Sequence, residues 1–290
     1  MQKPSRNLQE NIAEIKKRLP AEDVLVFDFA LSSGRACAAV FTDGVTNKEL
    51  LGEQVAKPLR EYEGEETFEG FSEALAAPEN KEGGDFAALA EEILDGNAAL
   101  FFDGFDRTLI LGVKTVPLRT IAEPPTDIAI KGPRAGFVED VKTNMSLLRT
   151  RLKTPELLFS TVKIGRRSRT KVVVCYLKDI AREEVVRSIV ARLKRIDIDG
   201  VPDSSYIAPF LSGRRHSLFK QTGTTEKPDI LAAKMLEGRV GLLVDGSPIA
   251  LTLPYLVAED FQASEDYFVS PYRASFTRFI RAFSLIISIY

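Results

Sequence analysis

The pattern of apolar and polar positions is written twice along the chain. Residues 94–111 (LDGNAALFFDGFDRTLIL) and residues 236–253 (LEGRVGLLVDGSPIALTL) share the same spacing without a gap. In each copy a helical apolar pattern ends at a glycine, Gly96 or Gly238, where the missing Cβ permits the left-handed conformation that commonly closes a helix. An Asp-Gly pair then separates two apolar runs, which is the pattern of a short β-hairpin. Each copy therefore predicts a helix followed by a hairpin, with the aspartates in turn roles rather than in catalysis.

A second match extends the repeat upstream of the first. Residues 11–31 parallel residues 144–164, and helical patterns follow later in both copies. The matched pairs include Asn11 with Asn144, Arg18 with Arg151 and Leu19 with Leu152. Such self-similarity predicts two copies of one structural unit, each built as helix, hairpin, helix, loop, helix and hairpin.

The repeat sets the predicted fold class and domain boundaries. We predict an α/β protein of two tandem related lobes, each a small mixed sheet of hairpins with flanking helices. The first lobe is predicted at residues 1–134 and the second at residues 135–290. A linker that is stiffened by the adjacent prolines Pro124 and Pro125 leads into a predicted connecting helix over residues 135–152.

The composition is that of a folded body. The 290 residues are 44% hydrophobic and 28% charged, with a net charge of −2, and such values are typical of a globular protein. A charge balance so close to neutral gives no overall attraction for nucleic acid, and no nucleic-acid partner is expected. Cys37 and Cys175 each fall in the second strand of a predicted hairpin, which indicates buried free thiols; a disulfide between the copies is the alternative.

Residues suited to catalysis or metal binding are sparse. The single histidine, His216, lies in a predicted loop beside two arginines, and one imidazole cannot make a metal site. Asp197, Asp199 and Asp203 lack the later glutamate of a calcium-binding EF-hand loop, so turn and capping roles are predicted for them. Glycine-rich phosphate loops and nucleophile elbows are absent from the sequence. We therefore predict no catalytic residues, no metal site and no cofactor.

The densest charge cluster is KIGRRSRTK, residues 163–171, which the repeat places at a hairpin turn. Such a tip suits contact with phosphates, either of nucleic acid or of anionic lipid headgroups. A solvated turn that is kept from aggregating by its charge is the alternative, because no aromatic side chain is interleaved for stacking on bases.

The carboxyl-terminal segment changes character after Arg281, where an apolar run continues to Tyr290. This run is too short to cross a bilayer, which needs about 20 residues, and we interpret it as the start of a transmembrane helix. Arg273, Arg278 and Arg281 would then remain on the near side and place the preceding domain in the cytoplasm. An amphipathic helix packed on the second copy is the alternative.

Four separated blocks carry a resemblance to a known family. They are KGPRAGFVEDVKTNMSLLRTRL, IGRRSRTKVVVCYLKDIA, IDIDGVPDSSYI and TTEKPDILAAKMLEGRVGLLVDGSP, in this order. Together they resemble the A subunits of spore germinant receptors, the GerA family of endospore-forming bacteria. The resemblance covers nearly the whole chain and is weakest at residues 61–85.

The resemblance implies a non-enzymatic membrane receptor component, which acts with B and C subunits in the inner spore membrane, where nutrient binding triggers ion release and germination. It also implies self-association of the full-length A subunit, attachment to the membrane through segments after Tyr290, and a position of this domain on the cytoplasmic, spore-core side. The family blocks supply the candidate contacts for a ligand or a partner: Gly132, Pro133, Arg134, Arg166, Arg167, Asp197, Asp199, Glu226 and Lys227.

Two functions follow as hypotheses. In the first, the domain is a coupling module, which relays ligand binding elsewhere in the receptor through contacts with itself and with neighbouring subunits. The helix over residues 135–152 is its candidate two-state element. In the second, the domain binds a small polar nutrient in a cleft between the lobes. A cytoplasmic location favours the first hypothesis, because a nutrient would have to cross the membrane to reach the cleft.

Overall fold

The computed structural model describes residues 3–75, 79–115, 133, 135–212, 220–256, 259 and 270–289. Its chain divides into two units, of which unit 1 comprises Met1–Arg119 with Arg149–Ser160 and unit 2 comprises Thr120–Leu148 with Thr161–Tyr290. The chain therefore passes from one unit to the other within a helix and again within a strand. The predicted lobe boundary after residue 134 stays a prediction.

The first half of the chain forms a five-stranded sheet with helices on both faces. Its helices are α1 (Leu8–Arg18), α2 (Lys48–Leu51), α3 (Lys57–Arg60), α4 (Phe68–Ala74) and α5 (Phe86–Leu94), with a π-helical turn at Gly52–Ala56 between α2 and α3. Its strands are β1 (Val24–Ala30), β2 (Ala36–Thr42), β3 (Asn80–Glu82), β4 (Ala98–Phe102) and β5 (Thr108–Leu111).

The second half of the chain repeats this plan. Its helices are α6 (Val141–Arg151), α7 (Glu183–Lys194), α8 (Ala208–Leu211), α9 (Pro228–Leu236) and α10 (Pro271–Ile289), with a 3-10 turn at Ser204–Tyr206. Its strands are β6 (Leu157–Ile164), β7 (Thr170–Leu177), β8 (Gly223–Thr225), β9 (Val240–Val244) and β10 (Ala250–Leu253).

The two sheets have the same strand order, β1-β2-β4-β5-β3 and β6-β7-β9-β10-β8. This identity confirms the predicted fold class of two related α/β lobes. Neighbouring strands of the first sheet pair antiparallel throughout, where a mixed sheet was predicted. Strands β3 and β4 do run in the same direction, joined by helix α5, but β5 lies between them and is antiparallel to both.

The glycines that the sequence places at helix ends adopt the predicted conformation. Gly96 has φ +99° and Gly238 has φ +88°, in the left-handed region that side chains with a Cβ avoid. The N–H of Gly96 donates to the carbonyl of Ile93 at 3.2 Å, and the N–H of Gly238 donates to that of Met235 at 2.9 Å. Both helices therefore end in the same way, and each leads directly into the central hairpin of its sheet.

Apolar side chains fill different cores on the same scaffold. In the first half, the helices from α2 to α4 cover one face of the sheet, and α1 with α5 covers the other. The first of these cores is rich in aromatic rings, with Phe71 stacked on Phe102 at a centroid distance of 4.7 Å. In the second half, α7 and α8 close the corresponding face over valine, leucine and isoleucine side chains. The duplication thus preserves the topology and not the residues that fill it.

Local details differ from the sequence prediction in three places. Helix α6 begins at Val141 rather than at residue 135, because Asp140 caps it by accepting a hydrogen bond from the N–H of Thr143 at 2.8 Å. The short hairpins predicted at the Asp-Gly pairs have connections of five residues. Strands β3 and β8 were not predicted, because three residues are too few to show an alternating pattern. The prediction for the cysteines is confirmed, since Cys37 and Cys175 are buried thiols outside any disulfide.

Candidate functional site

The basic hairpin tip between β6 and β7 docks on the loop that follows α7. The N–H of Arg166 donates to the carbonyl of Ile198 at 2.9 Å, and the N–H groups of Arg167 and Ser168 donate to the carbonyl of Asp199 at 2.9 and 3.2 Å. Two blocks that are 30 residues apart in the sequence therefore form one surface. It brings together four of the nine predicted contact residues: Arg166, Arg167, Asp197 and Asp199.

Charge pairing at this surface is partial. Nε of Arg166 donates to Oδ1 of Asp197 at 2.6 Å, and the second guanidinium nitrogen bonds the other carboxylate oxygen. The hydrogen bonds from Arg166 lower the pKa of the Asp197 carboxyl, and those to Asp197 raise the pKa of Arg166. Both side chains are exposed, so this pair fixes the position of the tip more than it stabilises the fold.

A buried serine hydroxyl binds the loop that follows α7. Oγ of Ser247, in the connection between β9 and β10, donates to Oδ2 of Asp203 at 2.6 Å. Burial raises the pKa of the Asp203 carboxyl. The hydrogen bonds from Ser205 and Ser247 lower this pKa by more than burial raises it, so the net pKa lies below the usual value. The carboxylate therefore stays ionised and anchors the loop, in agreement with the capping role predicted for Asp203.

A second cluster lies where α9 begins. The N–H of Phe137 donates to the carbonyl of Glu226 at 2.7 Å, so the segment before α6 packs against the start of α9. Lys227 is only 2% exposed, and its N–H donates to Oγ1 of Thr225 at 3.1 Å. Pro133 is half-buried. Two other predicted contact residues, Gly132 and Arg134, lie outside the described residues, as does His216.

In both copies an aspartate for which the sequence predicted only a turn role also contacts the start of a helix. Oδ1 of Asp103 accepts from the N–H of Leu8 at 3.3 Å, and Oδ1 of Asp245 accepts from the N–H of Val141 at 3.4 Å. Leu8 and Val141 are the first residues of α1 and α6, where unpaired N–H groups favour a carboxylate. The repeated Asp-Gly pairs therefore do more than form turns, because they dock the helix that opens each copy.

An asparagine in each of these helices makes a second repeated contact. Oδ1 of Asn11 accepts from the N–H of Ser5 at 2.8 Å, and its Nδ2 donates to the Ser5 carbonyl at 2.7 Å. Asn144 makes the same two bonds to Val138, at 2.8 and 2.6 Å. The match of Asn11 with Asn144 in the sequence repeat was the signal for this contact.

The most deeply buried ion pair was not predicted. Within unit 1, Arg149 at the end of α6 is fully buried, and its guanidinium donates to both carboxylate oxygens of Asp23 at 2.8 Å. The same guanidinium donates to the backbone carbonyls of Thr154 and Leu157 at 2.8 and 3.0 Å. The partners are 126 residues apart, and no pattern in the sequence joins them.

The described residues offer little to catalytic chemistry. Among them, no group of three or more histidine, cysteine, aspartate or glutamate side chains is placed to hold a metal ion. Burial raises the pKa of the Cys37 thiol to about 12, which keeps it protonated and unreactive at neutral pH. What the geometry provides instead is a set of docked loops, helix ends and exposed charges, which is suited to contacts with other molecules.

Helix α10 exposes a stripe of large apolar side chains. Tyr272, Phe276, Phe279 and Phe283 recur at helical spacing and are each more than half exposed, whereas Ala274 is buried. Within the described part of the chain, no helix combines the length and the hydropathy that crossing a bilayer needs.

Comparisons with known proteins agree with one another. A family model described as Bacillus/Clostridium GerA spore germination protein matches residues 10–290. The chain is 32% identical over 289 residues to spore germination protein B1 of Bacillus subtilis strain 168, a match that covers 98% of this chain and 60% of that protein. It is also 32% identical over 290 residues to the membrane protein YfkQ of the same strain, covering 99% of this chain and 56% of that protein. The chain thus spans less than two thirds of the length of these relatives.

A solved structure supports the same assignment. The N-terminal domain of the A subunit of the Bacillus megaterium spore germinant receptor GerK3 matches with a TM-score of 0.68 and 25% sequence identity, over 88% of this chain and 97% of that one. Because both the family model and the fold match over most of the chain, this protein belongs to the GerA family of spore germination proteins and has the fold of the N-terminal domain of a germinant receptor A subunit.

Proposed function

We propose that this chain is the cytoplasmic N-terminal domain of a nutrient germinant receptor A subunit and couples germinant sensing to ion release and spore germination. The observation that carries the proposal is the likeness to the N-terminal domain of the GerK3 A subunit over 88% of this chain. In this role the domain is not an enzyme. It acts through contacts with the B and C subunits of the same receptor and through self-association of the A subunit.

Membrane attachment is the second part of the proposal. The chain matches 56% of the length of a relative that is called a membrane protein, which leaves room in such proteins for further segments. We propose that segments after Tyr290 anchor the domain to the inner spore membrane, with the domain on the spore-core side. The arginines of α10, Arg273, Arg278 and Arg281, suit that side of a membrane.

The surface formed by Arg166, Arg167, Asp197 and Asp199 is a proposed contact surface of the domain, because its backbone is fixed while its side chains are exposed. Lys227 supports a different role. At 2% exposure it lies inside the fold, and we propose that it holds the start of α9 rather than touching a partner directly.

Helix α6 is the proposed coupling element. Its first residue, Val141, is bound to Asp245 in unit 2, and its Arg149 is bound to Asp23 in unit 1. A helix whose two ends are held in different units responds to a change at either end, which is the property that coupling requires.

Paired variants of the full-length A subunit in spores test this role. Asp245→Ala removes the docking contact of α6, and Asp103→Ala removes the equivalent contact of α1. We expect Asp245→Ala to slow germinant-triggered ion release and germination more than Asp103→Ala does, at equal subunit amounts by immunoblot. Equal effects of the two variants, or no effect of either, would show that α6 is not the coupling element.

The alternative function predicted from the sequence is nutrient binding in a cleft between the lobes, and it stays a prediction. Calorimetry of the 290-residue chain against common germinants tests it directly. Saturable binding would favour the nutrient-binding module, whereas no binding together with the α6 effect above would favour coupling.

A further inference from the structure

The hairpin tips of the two halves occupy equivalent places but differ in charge. The N–H of Asp103 donates to the carbonyl of Ala36, and the N–H of Asp245 donates to the carbonyl of Lys171, both at 2.9 Å. Lys171 therefore stands where the first half has Ala36. By the sequence repeat, Lys163 stands where the first half has Ala30, one residue before a buried Leu31 or Ile164.

This equivalence sets two lysines opposite each other. Ala30 and Ala36 are direct partners across the β1–β2 hairpin. Strands β6 and β7 are neighbours in the second sheet, so from this equivalence we place Lys163 opposite Lys171; both are exposed. Like charges placed directly across a hairpin are unfavourable unless a counter-charge is nearby.

Two arginines at the turn add to the cluster. Arg167 and Arg169 are exposed, and within the described residues neither they nor the two lysines form an ion pair. Arg166 differs, because it is paired with Asp197. Four cations thus lie on a tip whose backbone is already fixed by hydrogen bonds to residues 198 and 199, so little ordering is needed when an anion binds.

We propose that this tip, defined by Lys163, Arg167, Arg169 and Lys171, docks on the phosphates of anionic phospholipid headgroups. A lipid surface fits better than nucleic acid, because residues 163–171 contain no aromatic ring for bases and the chain has a net charge of −2. The exposed aromatic stripe of α10, in the same unit, is a second feature typical of bilayer interfaces. The inference rests on the proposed function only in placing a membrane near this domain.

Cosedimentation of the 290-residue chain with lipid vesicles tests the tip directly. We expect binding to vesicles that contain phosphatidylglycerol, weaker binding to pure phosphatidylcholine, and loss of binding with added salt. The variant Lys163→Ala with Lys171→Ala restores the residues of the first half and should reduce partitioning about 25-fold, at about fivefold for each charge. The same variant should melt no lower than the parent chain, because it relieves a repulsion.

A control variant removes the same charge elsewhere. Lys16→Ala with Lys17→Ala changes two exposed lysines of α1 and should leave vesicle binding unchanged. A second tip variant, Arg167→Ser, should lose binding about fivefold. Equal binding to neutral and anionic vesicles, equal losses in the control, or displacement from vesicles by duplex DNA would overturn the proposal. Because the assay involves no germination, its failure is separate from failure of the coupling function.

Discussion

The two halves of the molecule keep the same backbone contacts and differ in what is added to them. Asp103 and Asp245 dock a helix start in the same way, and Asn11 and Asn144 make the same pair of bonds to the residue six positions earlier. Duplication has thus preserved the contacts that define the path of the chain. The additions occur in the second copy, as the cationic hairpin tip and as the buried guanidinium of Arg149. The shared contacts therefore maintain the fold common to both halves, whereas each addition belongs to the second copy alone.

The largest expected effect on stability comes from Arg149, the buried addition of the second copy. Arg149→Met should lower the free energy of unfolding by about 3–5 kcal/mol, because Asp23 would be left buried without a counter-charge. Urea denaturation measures the loss. In the repeat alignment Arg149 stands where the first copy has Lys16, which is exposed, so Lys16→Met should change stability by less than about 0.5 kcal/mol.

A double variant distinguishes the contribution of the Asp23–Arg149 ion pair to stability from that of the contacts around it. Asp23→Asn with Arg149→Met removes both charges and should recover part of the lost stability, because no unpaired buried charge remains. If the double variant is as unstable as the sum of the two single variants, the cost lies in packing around Phe159 and in the lost carbonyl contacts rather than in the ion pair.

The next effect tests the contact that the two halves share. Asn11→Ala and Asn144→Ala each leave a backbone N–H and a carbonyl without a side-chain partner, at a cost of about 1–3 kcal/mol. Both asparagines are 1% exposed, so we expect equal losses by thermal or urea denaturation. Unequal losses would show that the repeated geometry does not carry equal weight in the two halves.

Much of the fold could be predicted from the sequence, because the repeat showed that the chain contains two copies of one order of helices and hairpins. Periodic apolar runs, helix-closing glycines such as Gly96 and Gly238, and the Asp-Gly pairs were sufficient for the order of helices and hairpins. The three-residue edge strands and the start of α6 were not, since short elements carry no period and a capping residue such as Asp140 competes with the helical pattern around it.

The candidate site was predictable only in part, for a related reason. The sequence predicted Arg166 and Arg167 in one block and Asp197 and Asp199 in another. Only the fold shows that the hairpin tip docks on the loop after α7. The ion pair of Arg149 and Asp23 could not be predicted, because residues 126 positions apart share no local sequence pattern. Long-range contacts of this kind depend on the packing of whole elements rather than on spacing.

The smallest effect concerns the ion pairs of Asp95 with Lys114 and Lys153 at the end of α5. In the second copy the equivalent Glu237 pairs instead with Arg239. Hydrogen bonds from Lys114 and then Lys153 lower the pKa of the Asp95 carboxyl below its ordinary value of 3.8. A lowered folded-state pKa stabilises the protein above that ordinary value, and the contribution is lost as the pH falls through the folded-state pKa. Asp95→Asn should therefore cost less than about 1 kcal/mol at neutral pH, since the carboxylate is about one third exposed, and the difference should disappear in acid and shrink with added salt. A difference between parent and variant that persists in acid would instead assign the role of Asp95 to the geometry of the helix end, where Glu237 occupies the equivalent position in the second copy.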